Sequence, residues 1–174
     1  MEIKKFKKLA STNIKAKELI EEGALPWTVV VSQEQDCGYG RKGEKWISPK
    51  GGLYFSVILP KNNIDDLQLL TILTAFVIAK IIKEEFNIEP LIKLPNDILL
   101  SGKKICGILT ENVIGKDVKS SVMGVGLNTN TESFPGLESI ATSLSKEIGR
   151  EVDNDKILEK IIEEIKKQLE TISK

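Results

Sequence analysis

The segment from 91 to 127 limits the fold of this chain more than any other. Residues 98–100 and 104–112 are β-rich apolar runs separated by Ser101-Gly102, a spacing that closes a hairpin and sets the two strands antiparallel. A further strand pattern covers 119–127. Upstream, strand patterns fall at 2–9, 27–32, 53–59 and 91–93, and one helix separates the first two. That helix runs to Glu22, with Ser11, Thr12 and Asn13 as alternative N-caps, Ala16, Leu19 and Ile20 as its apolar face and Gly23 as its stop. A long apolar helix is predicted over 64–85. A last one starts near Asp155, capped by Asp153 or Asn154, with Ile157, Leu158, Ile161, Ile162, Ile165, Leu169 and Ile172 at helical spacing. Regular β-α alternation is missing, which argues against a doubly wound parallel sheet. The pattern predicts an α+β fold: a mixed, largely antiparallel sheet flanked by helices.

A chain of 174 residues, 41% of them hydrophobic, is one domain with a full core. Its 25 basic and 25 acidic residues cancel, so its field gives no reason to expect a nucleic-acid or anionic-membrane partner. With no histidine, a Ser-His-Asp or Cys-His nucleophilic site and an imidazole metal centre are excluded. Cys37 and Cys106 form no C-x-x-C pair and are expected to be reduced thiols in a cytoplasmic protein. Residues 1–9 alternate charged and apolar side chains, unlike a signal peptide. The apolar stretch 67–82 is interrupted by Gln68, Thr71, Thr74 and Lys80, as in a buried helix rather than a membrane span.

Residues 35–52 hold five glycines and one proline and form a long loop. Within it G-Y-G-R-K-G, 38–43, matches the dinucleotide string G-x-G-x-x-G. Pro49, Gly51 and Gly52 forbid the helix that must follow in that motif. What remains is an anion cradle: glycines admit backbone N–H groups to a ligand, and Arg41, Lys42 and Lys45 add charge. A basic surface loop is the plain alternative, against which Gln35 before it and Trp46 after it weigh. In K-L-P-N-D, 93–97, Pro95-Asn96 makes a turn and Asp97 places a carboxylate at a strand end. Lys104 lies in an apolar strand, so it must snorkel outward or face an anion. G-V-G-L-N, 124–128, is either a strand-end turn or a close backbone approach to a ligand.

Taken in order, S-T-N (11–13), Q-D-C-G-Y-G-R-K-G-E-K-W (35–46), K-L-P-N-D, G-K-K-I-C-G-I-L-T-E (102–111) and G-V-G-L-N-T-N (124–130) resemble the motifs of the biotin protein ligases across nearly the whole chain. The resemblance implies the biotin/lipoate ligase catalytic domain, a class II synthetase-like fold. It implies activation of biotin by ATP and Mg2+ to biotinyl-5′-AMP, then transfer to a lysine of a biotin carboxyl carrier protein. Lys104 and Arg41 take the catalytic roles. Ser11, Thr12, Asn13, Gln35, Gly38, Tyr39, Gly40, Arg41, Lys104 and Gly107 are the expected biotin contacts. Arg41, Lys42, Trp46, Asn96, Gly126 and Asn128 fall to the adenylate, and Asp97 to a metal–phosphate or acceptor contact. No metal is expected to be fixed by protein side chains alone. Tyr39 and Glu44 stand where the family usually has arginines, and Leu94 where it has tryptophan. A single catalytic domain is expected, with neither an N-terminal DNA-binding domain nor the C-terminal SH3-like domain, and a homodimer is compatible with it. A lipoate ligase or octanoyl transferase is the nearest alternative, and a non-catalytic biotin-binding module a second.

Overall fold

A computed structural model of the chain describes residues 1–60, 67–114 and 118–172. In chain order its elements are β1 (Ile3–Phe6), α1 (Thr12–Glu21), β2 (Val29–Ser32), a short 3-10 turn (Arg41–Gly43), β3 (Leu53–Leu59), α2 (Leu67–Phe86), β4 (Leu91–Lys93), β5 (Asp97–Leu100), β6 (Lys103–Ile114), β7 (Val118–Leu127), α3 (Leu144–Ile148) and α4 (Asn154–Ile172). The strands form one seven-stranded sheet in the order β1-β2-β3-β7-β6-β5-β4. Among the described strands only β1 and β2 pair in parallel, so the expected largely antiparallel α+β fold is observed.

Period-two alternation sends the two faces of the sheet to different neighbours. On β3, Leu53, Phe55, Val57 and Leu59 enter the main core under α2 and α4. Ile58 faces the other way and joins Ala16 and Leu19 of α1 in a smaller cluster. Helix α4 shows its apolar stripe plainly: Ile157, Leu158, Ile161, Ile162, Ile165 and Leu169 are all buried. Its cap is Asp153, whose Oδ1 accepts from the amides of Asp155 and Lys156 at 3.0 and 3.1 Å. The outer faces of α2 and α4 are tied by Lys80–Glu164 (3.0 Å) and by Lys156 and Lys160 on Glu85.

Three details depart from the sequence reading. Strand β2 starts at Val29 rather than residue 27, because Trp27 adopts φ 67° and cannot continue a strand. Helix α3 was not foreseen, since one turn and a half is too short to show a period. Ser11 occupies the cap position of α1 but makes no side-chain cap bond there. The 64–66 start of the predicted second helix, and the Ile172 side chain, lie outside the described residues.

Candidate active site

The α1 side of the sheet is left uncovered at the middle of β6 and β7, and there the floor is made of glycine. Gly107 pairs with Gly126, and Leu109 with Gly124. Each glycine yields space to a neighbouring side chain. A methyl on Gly126 would collide with the Trp46 indole, and one on Gly124 with the Asn13 amide. One on Gly107 would sit 3.0 Å from Trp46 Cζ3 and 3.4 Å from Lys104 Cε.

Over this floor stands the glycine-rich segment, which is a narrow hairpin. Trp46 N donates to Gly38 O at 2.9 Å and Gly40 N to Glu44 O at 2.7 Å, and its tip is the Arg41–Gly43 turn. Lys42 and Gly43 both take left-handed φ there, 56° and 76°. The base of the hairpin is stitched to the link between β1 and α1 by Asp36 N to Leu9 O and Cys37 N to Ala10 O. Between hairpin, floor and the 93–97 turn lies a cavity of about 340 Å³, within the usual size of small-molecule sites.

A β-bulge aims Lys104 into this cavity. In a regular strand Lys104 would share a face with Cys106, and Cys106 is in the main core. Between Ile98 and Leu99 the register against β6 slips, so that Ile98 opposes Cys106 and Leu99 opposes Lys104. The extra residue, Ile105, is fully buried beside Cys106, and Lys104 turns to the same side as Gly107. Its Nζ then lies 2.8 Å from Asp97 Oδ1 and 5.1 Å from the Trp46 ring centroid. The anion that a lysine in an apolar strand requires is therefore Asp97. The Trp46 indole N–H is buried and has no hydrogen-bond partner among the described residues, a donor available to a ligand.

At the other end, Gln35 organises the start of α1. Its Oε1 accepts from Thr12 N at 2.8 Å and lies 3.2 Å from Thr12 Oγ1, while Nε2 donates to Ser48 Oγ at 2.8 Å. Gln35 thus satisfies a helix N-terminal amide that Ser11 leaves open. Ser56, pointing up from β3, donates to Asn13 Oδ1 at 2.6 Å and stands 2.8 Å from Thr12 Oγ1. Asn13 Nδ2 donates to Glu111 Oε2 at 2.7 Å. Glu111 also accepts from Tyr39 OH at 2.8 Å and from Lys17 Nζ at 2.8 Å. Burial would raise the Glu111 carboxyl, but hydrogen bonds from Lys17, Asn13 and Tyr39 outweigh it and hold the group below its ordinary range. Burial together with the bond to Glu111 pushes the Tyr39 phenol up.

Ser11, Thr12, Asn13, Gln35, Tyr39, Gly40, Arg41, Lys42, Trp46, Asn96, Asp97, Lys104, Gly107 and Gly126 all line this one cavity. Two expected contacts do not. Gly38 lies beneath the hairpin, where a Cβ would meet Trp46 O at 2.6 Å, so it serves packing. Asn128 is buried past the end of β7, with Nδ2 donating to Thr142 O at 3.2 Å and Oδ1 without a hydrogen-bond partner among the described residues. Sequence reasoning missed Lys93 at the rim, Ser56 beneath and Glu111 behind, although Ser56 and Glu111 were visible as polar residues in apolar strands. Leu94, exposed at the rim, offers an apolar edge where the resemblance expects tryptophan.

Residues 5–128 match the family model of the biotin/lipoate A/B protein ligase family. The chain belongs to this family. It is 41% identical over 151 residues to the bifunctional ligase/repressor BirA of Bacillus subtilis, covering 83% of this chain and 46% of that protein. It is 31% identical over 160 residues to the biotin–[acetyl-CoA-carboxylase] ligase of Paracoccus denitrificans, covering 85% of this chain and 65% of the relative. The chain therefore spans about half to two thirds of the length of these relatives. The solved biotin protein ligase of Aquifex aeolicus, in complex with biotin and ATP, superposes with a TM-score of 0.88 at 29% identity, over 99% of this chain and 72% of that one.

Proposed function

We propose that this chain carries the catalytic site of a cytoplasmic biotin protein ligase. One observation supports the reading above the others: Arg41 and Lys104, 63 positions apart in the numbering, line the same glycine-floored cavity. At one end of that cavity are polar groups already set by Gln35, Thr12 and Asn13. Forming a mixed anhydride brings a carboxylate against a phosphate, so the work of the site is to hold two anions in line and to neutralise the charge that builds between them.

In this reading Thr12, Asn13 and Gln35, with Ser11 beside them, bind the ureido end of biotin, and Tyr39 and Gly40 close over it. The biotin carboxylate attacks the α-phosphorus of ATP; the bond to pyrophosphate breaks, and biotinyl-5′-AMP forms. Lys104 and Arg41 stabilise the negative charge, while Trp46, Lys42, Asn96 and Gly126 surround the nucleotide. An acceptor-lysine amine of a biotin carboxyl carrier protein then attacks the acyl carbon, AMP leaves, and the amine proton is lost. Among the described residues no three His, Cys, Asp or Glu side chains gather as a metal site, and Asp97 is held by Lys104. Mg2+ bound with the nucleotide would neutralise charge on its phosphates, and Asp97 in the cavity wall is the carboxylate that would contact it.

Mass spectrometry of a carrier domain incubated with the chain, ATP and biotin tests the whole reading. The expected result is a carrier heavier by one biotinyl group, dependent on ATP. Titration calorimetry against biotin and lipoate separates the biotin from the lipoate reading. A chain that binds biotin but releases no pyrophosphate would instead be a binding module.

A further inference from the structure

Glu111 is the polar centre of a network that reaches the cavity from behind. Neither it nor Lys17 forms part of the cavity wall, yet both residues it contacts on that side, Asn13 and Tyr39, do. A carboxylate only accepts hydrogen bonds. Its Oε2 therefore turns the Asn13 Nδ2 toward itself (2.7 Å), which leaves Asn13 Oδ1 to take the Ser56 hydroxyl (2.6 Å). Asn13 is nearly buried, and the flipped amide would set its oxygen against the Glu111 carboxylate, acceptor against acceptor, so Glu111 fixes the orientation. The same Oε2 takes the Tyr39 hydroxyl at 2.8 Å. That bond ties the free side of the 38–46 hairpin to β6, across 72 residues of sequence. The positive charge that balances Glu111 comes from Lys17 of α1, at 2.8 Å, rather than from the hairpin, where Tyr39 is neutral. At this end the cavity is lined by Tyr39, while the Lys17 ammonium, 3.5 Å from the Tyr39 hydroxyl, stays behind the wall.

We propose that Glu111 is a positioning residue for the small-molecule end of the cavity, orienting Asn13 and anchoring the glycine hairpin through the Tyr39 hydroxyl. Lys17 keeps the carboxylate charged without entering the site. The ligand half of this proposal rests on the biotin reading; the anchoring half does not. Removing the anchor frees the hairpin tip, where the exposed Arg41 and Lys42 are residues of the type trypsin cleaves after, and loosens Asn13, while Lys104 and the nucleotide side stay as they are.

The test compares the unaltered chain with Tyr39→Phe, Glu111→Ala and Glu111→Gln by two readouts. The first is tryptic cleavage after Arg41 and Lys42 without ligand. The second is the separate KM values for biotin and ATP, with kcat, from pyrophosphate release. Tyr39→Phe and Glu111→Ala are expected to speed cleavage and to raise the biotin KM about tenfold, the ratio supported by one hydrogen bond to a charged group. The ATP KM stays in place and kcat changes less than the biotin KM. Glu111→Gln, which keeps an acceptor oxygen for Tyr39 and Asn13, falls between these and the unaltered chain. Cleavage at the unaltered rate in both Tyr39→Phe and Glu111→Ala overturns the anchor. A fall in kcat at constant biotin KM overturns the positioning role. Failure of the unaltered chain to bind biotin refutes the functional reading instead, and the cleavage rates still decide the anchor. If Glu111→Ala does not fold, Tyr39→Phe, which removes one hydroxyl, decides alone.

Discussion

Replacing Lys104 by alanine removes the one side chain that the β6 bulge delivers into the cavity. For stability the loss is small. The Lys104–Asp97 pair is partly open, with side chains 32% and 20% exposed, and such a pair contributes about 0–1 kcal/mol. The contact with the Trp46 ring, at 5.1 Å, adds about 0.5–1 kcal/mol. For a chain of this size a total of about 0.5–2 kcal/mol lowers the melting temperature by roughly 1–8 °C. For catalysis the loss is much larger. A preorganised donor facing charge that develops in the transition state supports about 10²–10³ in kcat, or about 2.7–4 kcal/mol. Lys104→Ala is therefore expected to melt within a few degrees of the unaltered chain yet to release pyrophosphate more than a hundredfold more slowly at saturating biotin and ATP. Single-turnover pyrophosphate release alongside calorimetric melting makes the comparison. Release within tenfold of the unaltered rate in a folded variant would refute the assignment, because the cation would then hold the wall together and do no chemistry.

Other outcomes follow from neighbouring geometry. Gly126→Ala places a methyl against the Trp46 indole, so it should cost about 1–3 kcal/mol, shift Trp46 fluorescence and weaken ATP binding; unchanged emission would count against the floor as described. Ile161→Ala empties a fully buried position of α4 and should cost about 2–5 kcal/mol in urea unfolding while leaving biotin affinity intact. Glu111 has its carboxyl held below the ordinary 4.5 in the folded chain. Its contribution is therefore fully present above 4.5 and is lost as pH falls through the depressed value. Urea midpoints of the unaltered chain and Glu111→Gln should accordingly converge on acidification, and a constant difference would contradict the sign.

The fold was legible where one local pattern decided an element. The Ser101-Gly102 turn has φ values of 50° and 76° and closes the hairpin between β5 and β6 as expected. The stripe of α4 and the apolar run of β3, interrupted by Ser56, needed no tertiary information. Trp27 and α3 escaped because their conformations are set by neighbours. Trp27 N donates to Ile58 O, and Leu144 N, at the start of α3, to Asn128 O. Both partners are distant in sequence and leave no mark on the local pattern.

The site was legible as a set of residue types and not as an arrangement. Motif order brought Arg41, Lys104 and Gln35 together, but it assigned Gln35 and Asn13 to the ligand alone. In the structure much of their hydrogen-bonding capacity already holds protein: Thr12 and Ser48 for one, Ser56 and Glu111 for the other. The orientation of Lys104 was also out of reach. Alternation along 104–109 puts Lys104 on the face of Cys106, in the core, and only the register slip opposite Ile98 and Leu99 reverses it. A bulge costs a ladder position and sets a direction, here toward the Asp97 carboxylate and the Trp46 indole that give a lysine in an apolar strand its partners. The same slip buries Ile105 and Cys106 side by side, so the core gains from the irregularity that equips the cavity. That coupling makes the placement of Lys104 a property of the sheet register and not of a flexible side chain.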